Sequence, residues 1–147
     1  MRLIYTALYY LAIPFILIRL LWRSRHTADY RRRWSERFGV IKPISDKNSI
    51  WIHAVSVGET IAAIPLINAL IEQYSQYTII VTTTTPTGSA LVIKEFGNRV
   101  HHVYSPLDTP TSVYRFLNRA KPILCIINRH CIVHQIADLV VIEDDVF

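Results

Sequence analysis

A chain of 147 residues, 51% of them hydrophobic, fits one ordinary domain and excludes two full nucleotide-binding-type domains. Its formal charge of +5 is unevenly placed: residues 1–39 hold eight arginines against two acids (+6), and residues 40–147 hold eight lysines or arginines against nine acids (−1). A basic excess confined to one end argues for an anionic membrane surface or headgroup over a nucleic-acid groove, and two cysteines, Cys125 and Cys131, are too few for a disulfide framework and fit a reducing compartment.

In chain order, Leu3 to Ile18 is almost continuously apolar, interrupted by Pro14 and closed by Arg19, with Leu20, Leu21 and Trp22 extending it. A spanning helix needs about 20 apolar residues, so this run spans only if Arg19 snorkels to the interface. No small-residue cleavage site follows, which favours an uncleaved anchor at residues 1–22, either crossing the bilayer or lying in one leaflet. The alternative is a hydrophobic helix docked on the protein itself. Arg23, Arg25, Arg31, Arg32, Arg33 and Arg37 follow directly and place the remainder on the cytoplasmic side of the inner membrane by the positive-inside rule. Residues 23–48 read as a basic interfacial helix, capped near Thr27–Tyr30 and ended by Gly39, and then a linker. A solvated basic face explains the same arginines nearly as well, with Glu36 paired to Arg32 or Arg33.

From Ser49 the pattern alternates strand and helix. A first apolar strand is expected from Ser49, with Ile50, Trp51, Ile52, Val55 and Val57 suiting a buried strand edge, and others at Tyr77–Thr82, Val100–Tyr104 and Pro122–Ile127, with helices over Thr60–Tyr74, from Ser89 to about Phe96, and Thr111–Ala120. Pro65 predicts that the first of these helices begins near it or kinks. Near-continuous apolar strands spaced by helices imply an α/β fold with a parallel sheet covered on both faces, at residues 49–127. The loops Val55–Glu59, Thr83–Ser89 and Ser105–Pro110 then share one sheet edge, and their Ser, Thr and Gly residues suit an anionic or hydroxylated ligand. Glu59 has two readings. It is an acid in a first helical turn, set against the helix dipole, or a carboxylate at the ligand-binding edge of the sheet, able to act as a general base.

No Walker A motif, G-x-G-x-x-G or nucleophile elbow is present. Cys131, His130 and His134, with Cys125 nearby, form a compact trio, but the spacing does not suit a structural zinc site, and no metal is expected. His53 and the His101–His102 pair read as packing or edge residues.

Five blocks in order carry a resemblance. They are the apolar N-terminus, Tyr30–Gly39, His53–Thr60, Ala62–Leu66 and Thr82–Gly88. Together they resemble the 3-deoxy-D-manno-octulosonic acid (Kdo) transferases of lipopolysaccharide core biosynthesis over about residues 1–127. The resemblance implies the N-terminal, Rossmann-like, acceptor-binding domain of a GT-B glycosyltransferase. It implies inverting transfer of Kdo from CMP-Kdo to a lipid A precursor, with no cofactor and no bound metal for the chemistry. It places the catalytic base at Glu59. Ser56, Gly58, Thr84, Thr85 and Gly88 are expected to line the acceptor cleft, and Arg23, Arg25, Arg31, Arg32 and Arg33 to meet the phosphorylated headgroup at the membrane. After Ile127 the resemblance stops. The family's acidic element has no counterpart in Asn128–His134, so residues 128–147 are expected to be a divergent tail and the chain alone to lack transfer. The competing expectation is a non-catalytic membrane-surface lipid-binding module, or a remnant.

Overall fold

A computed structural model describes residues 2–24, 33–44 and 48–127. Helix α1 spans Arg2–Ser24, and α2 is a single turn at Trp34–Arg37. Strand and helix then alternate: β1 Ser49–His53, α3 Val57–Gln73, β2 Thr78–Thr83, α4 Pro86–Phe96, β3 His101–Tyr104, α5 Pro110–Ala120 and β4 Pro122–Ile127. The four strands form one parallel sheet in the order β3-β2-β1-β4. This is the α/β architecture expected from the sequence, and it is of the Rossmann-like kind.

Side chains along each strand alternate between two cores, as the pleat requires. Ile50 and Ile52 of β1 and Ile79 and Val81 of β2 face Ile67 and Leu70 of α3 and Val92 and Phe96 of α4. Trp51, Ile80, Val103 and Cys125 face the other way, onto Val113, Phe116 and Ala120 of α5. Trp51 is fully buried, its ring centroid 4.6 Å from that of Phe116. Full burial of side chains this size stabilises by about 2 kcal/mol each.

Each crossover helix opens on a hydroxyl cap. Ser56, Thr85 and Thr109 accept from the backbone N–H three residues on, at Glu59, Gly88 and Ser112. Pro86 and Pro110 sit at the first helical positions, where no N–H is missed. Helix α3 differs from expectation: it starts at Val57 and continues through Pro65. The Ser56 cap sets that start two turns earlier, and α3 packs against the sheet through Ile67 and Leu70, beyond the proline.

Residues 40–44 are more than a linker, because Ile41 and Ile44 belong to the Trp51 core. The expected helix ahead of Gly39 reduces, within the described residues, to α2, preceded by Arg33 in the left-handed conformation. Its residues from about 27 to 32, like the tail 128–147, lie outside the described residues.

Among the described residues no helix is long and apolar enough to cross a membrane. The apolar run of α1 from Leu3 to Ile18 covers about 24 Å, short of the roughly 30 Å hydrocarbon core, before exposed Arg19 ends it. One side of α1 meets the domain, where the Asp108 backbone N–H donates to the Tyr9 hydroxyl at 3.1 Å. The opposite side carries Ile4, Leu8, Leu11, Phe15, Ile18 and Trp22, each more than 60% exposed.

Candidate functional site

The chain runs β1 to β2 to β3 toward one edge of the sheet and returns to place β4 on the far side of β1. The order reverses between β1 and β4, and in open α/β sheets such a reversal leaves a crevice outside the carboxyl ends of the strands. A cavity of about 190 Å³ lies there, lined by Ile52, His53 and Ala54 from β1 and its loop, Glu59, Ala62, Ala63 and Leu66 from α3, and Ile126 and Ile127 from β4. The alanines keep the α3 wall low, so the two polar side chains, His53 and Glu59, dominate its chemistry.

Glu59 sits at both places read for it from the sequence, the first turn of α3 and the carboxyl edge of the sheet. Its Oε2 accepts from the Val55 backbone N–H at 2.8 Å, and its own N–H donates to Ser56 Oγ at 3.2 Å. This is a variant of the capping box, with the reach-back one residue earlier than usual. The same carboxylate also forms part of the cavity wall.

The other predicted cleft residues are not among those lining the cavity. Ser56 is exposed and caps α3, and its Oγ lies 3.3 Å from Glu59 Oε1. Gly58 is exposed, and a Cβ there would meet only Ser56 Oγ, at 3.9 Å. Thr84 Oγ1 donates to the Val55 carbonyl at 2.7 Å and ties the loop after β2 to the loop after β1. Thr85 caps α4, and buried Gly88 packs so closely that a Cβ would lie 3.2 Å from Thr85 Oγ1 and 3.3 Å from Thr83 Cβ.

His53 was read from sequence as a packing residue, and it packs, but it is also among the residues lining the cavity. Its Nδ1 lies 2.8 Å from Thr82 Oγ1, which also accepts from Trp51 Nε1 at 2.9 Å. Burial lowers its pKa to about 4 against an opposing pull from the Glu59 carboxylate, so the ring is neutral at neutral pH. The signal for it in the sequence is its place: a histidine on the last residue of the central strand, at the ligand edge.

The arginines divide. Arg33 Nε pairs with Glu36 Oε1 at 2.6 Å, and its NH1 donates to His102 Nδ1 at 3.1 Å. Its guanidinium therefore braces β3, and its pairing with Glu36 is the one the sequence offered as the alternative to a headgroup contact. Glu36 completes the brace by accepting from the Tyr104 N–H at 2.8 Å, which also covers a backbone donor of the edge strand. Burial, then the Arg33 charge, lowers the His102 pKa to about 4. Arg37 is buried, donates to the Thr84 carbonyl at 3.0 Å and lies over the Tyr104 ring. Arg25, Arg31, Arg32 and the side chain of Arg23 lie outside the described residues, as do His130, Cys131 and His134. Cys125 is buried and not in a disulfide.

Residues 32–130 match the family model of 3-deoxy-D-manno-octulosonic-acid transferase (kdotransferase). The chain is 44% identical over 128 residues, 86% of its length, to the 3-deoxy-D-manno-octulosonic acid transferase of Haemophilus influenzae. It is 40% identical over 120 residues, 81% of its length, to an Arabidopsis thaliana protein named "Probable 3-deoxy-D-manno-octulosonic acid transferase, mitochondrial". A third relative, the transferase of Bordetella pertussis, is 37% identical over 91 residues, 58% of this chain and 21% of the relative. The chain spans 30% and 27% of the length of the first two. With the family model covering most of the parallel-sheet domain, this chain belongs to the Kdo transferase family, matching its N-terminal domain.

Proposed function

We propose that the chain is the acceptor-binding part of an inverting GT-B glycosyltransferase that moves Kdo from CMP-Kdo to a lipid A precursor. The observation that carries this reading is Glu59 in the wall of the cavity at the sheet's topological switch point. A sugar hydroxyl is a weak nucleophile, and a carboxylate within hydrogen-bond reach can take its proton as the glycosidic bond forms. The acceptor hydroxyl enters over Gly58, where no side chain blocks the approach. Ser56, Thr84, Thr85 and Gly88 shape the rim on which the rest of the acceptor lies, and the base acts without a cofactor.

The same reading places α1 in the interface of the inner membrane, with the domain on its cytoplasmic side. Its exposed apolar face suits a helix lying flat in the outer part of one leaflet. Arg23, Arg25, Arg31, Arg32 and Arg33 are the cations this reading assigns to lipid phosphates and to the acceptor's phosphorylated headgroup.

The test is a chimera in which this chain replaces the matching 128 residues of the Haemophilus influenzae relative. Kdo transfer from CMP-Kdo to lipid A precursor is expected in the chimera and lost in its Glu59→Gln form, with precursor binding retained. Transfer that survives Glu59→Gln would remove Glu59 as the base.

A further inference from the structure

Trp51, Thr82 and His53 form a buried line of hydrogen bonds that ends at the cavity. Indole N–H can only donate, so Trp51 Nε1 donates to Thr82 Oγ1, at 2.9 Å. The Thr82 hydroxyl has one proton to place, and His53 Nδ1, at 2.8 Å, is the acceptor within reach. Thr82 is fully buried, and an unplaced proton there would carry the full cost of desolvation. The hydroxyl therefore donates to Nδ1, and the imidazole proton resides on Nε2. That Nε2–H is buried and has no hydrogen-bond partner among the described residues. His53 is 2% exposed and lines the cavity beside Glu59.

We infer that His53 is a second ligand-binding group of this cavity, whose Nε2–H donates to a hydroxyl oxygen of the acceptor sugar while Glu59 receives a hydroxyl proton. The inference rests on the acceptor reading given above and adds a residue to it. An alcohol is both donor and acceptor, so a neutral N–H beside a carboxylate matches it, whereas a phosphate presents only acceptors and is repelled by Glu59. Neutrality has a further consequence. A cationic imidazole would pair with Glu59 and weaken it as a base, and the burial that keeps the ring uncharged avoids this. The strand register sets His53 between Thr82 on one side and Ile127 on the other, and Ile127 lines the same cavity.

The experiment uses the 147-residue chain with ¹⁵N-labelled histidine and a water-soluble, de-acylated glucosamine disaccharide bisphosphate as probe. Long-range ¹H–¹⁵N correlation of the free protein is expected to show His53 protonated at Nε2, and saturation with probe to shift that resonance. His53→Phe, which keeps the ring volume, is expected to weaken the probe's Kd by about tenfold, the value of one neutral hydrogen bond near the upper end of its range. His53→Gln, whose amide reaches about as far as Nε2, is expected to retain most of the affinity. A proton on Nδ1, an unmoved Nε2 resonance at saturation, unchanged affinity in a folded His53→Phe protein, or the same shift produced by inorganic phosphate each overturns the inference. Should the Phe variant fail to fold, the tautomer and the titration of the unmutated chain decide. Failure of the unmutated chain to bind the probe at all overturns the acceptor reading, and this inference with it.

Discussion

Glu59 reaches back over its own helix cap to hold the Val55 backbone N–H at 2.8 Å, while Thr84 Oγ1 holds the Val55 carbonyl at 2.7 Å. The turn at the ligand edge is thus fixed from both sides, and the proposed base is also a structural part. The two roles separate by substitution. Glu59→Gln keeps an oxygen for Val55 and is expected to change stability by no more than about 0.5 kcal/mol in urea denaturation, whereas Glu59→Ala loses the contact at about 1 kcal/mol. In the chimeric transferase both variants should lower transfer by roughly 10² to 10⁴, the usual worth of a general base. Equal stability losses for Gln and Ala would mean that the carboxylate charge, not the hydrogen bond, holds the turn.

Gly58 offers a cleaner probe of the acceptor's path. A Cβ at this position meets nothing nearer than Ser56 Oγ at 3.9 Å, and the residue lies in the first turn of α3, where alanine is no worse than glycine. Gly58→Ala is therefore expected to leave the melting temperature unchanged or raise it slightly. If an acceptor approaches the backbone closely here, binding of the soluble disaccharide probe should weaken severalfold. Undiminished binding would show that the approach lies elsewhere on the rim.

Two other glycines make a matched pair in which conformation and space come apart. Gly39 and Gly97 both have positive φ, +74° and +54°. Around Gly97 a Cβ finds open space, but at Gly39 it would lie 2.0 Å from the Ser112 carbonyl oxygen of α5. Gly97→Ala is expected to cost about 2 kcal/mol from backbone strain alone, because its ψ of −124° lies outside the left-handed helical well. Gly39→Ala must also push the segment after α2 off α5, and should cost at least about 3 kcal/mol or prevent folding. Chemical denaturation of the two variants gives the comparison directly, and similar losses would refute the close approach of Gly39 to α5.

These cases show what was legible in the sequence. The sheet was, because Ile50, Trp51 and Ile52, and Ile79, Ile80 and Val81, form short apolar runs bounded by polar turns, which suit strands buried on both faces. The place of the loops and of Glu59 at the carboxyl edge of the sheet followed from that topology. What stayed hidden depends on contacts distant in sequence. Nothing local to Ile41 and Ile44 announces that they complete the Trp51 core, and a proline at 65 argued against the helix that its Ser56 cap starts. Arg33 looked like one cation in a basic run, yet its partner His102 lies 69 residues away. His53 was visible as a residue but not as a donor, since its tautomer is set by Thr82 on the neighbouring strand.

The two buried histidines give the fold a pH dependence with a definite sign. Both have pKa values lowered to about 4, His53 by burial against Glu59 and His102 by burial and then Arg33. In the unfolded chain each titrates near 6.5. Above that pH both states are uncharged and nothing is lost. As pH falls from about 6.5 to about 4 the unfolded state gains protons that the folded state refuses, so stability drops, by on the order of 3 kcal/mol per histidine when complete. Melting temperatures across this window should therefore fall less steeply in His102→Gln than in the unmutated protein, after allowance for its lower starting stability. Parallel curves would mean that His102 takes up its proton without penalty.

The face of α1 turned away from the domain tests how the chain meets a membrane. Leu11 and Phe15 stand at 69% and 72% exposure in a stripe with Ile4, Leu8, Ile18 and Trp22, spaced three and four residues apart. Tyr9, on the other side, is tied to Asp108, so the stripe cannot turn inward without breaking that bond. Burying a Leu or Phe side chain in the acyl boundary contributes about 2 kcal/mol, or some thirtyfold in partitioning. Leu11→Lys and Phe15→Lys should each weaken co-sedimentation with vesicles of phosphatidylethanolamine and phosphatidylglycerol by at least about tenfold, while the fold, which neither side chain supports, melts as before. Raising the salt concentration should cost the unmutated chain less than either substitution, because the basic run screens and the apolar face does not. If salt alone releases the chain and the two substitutions do not, the arginines hold it at the surface and α1 contributes no insertion.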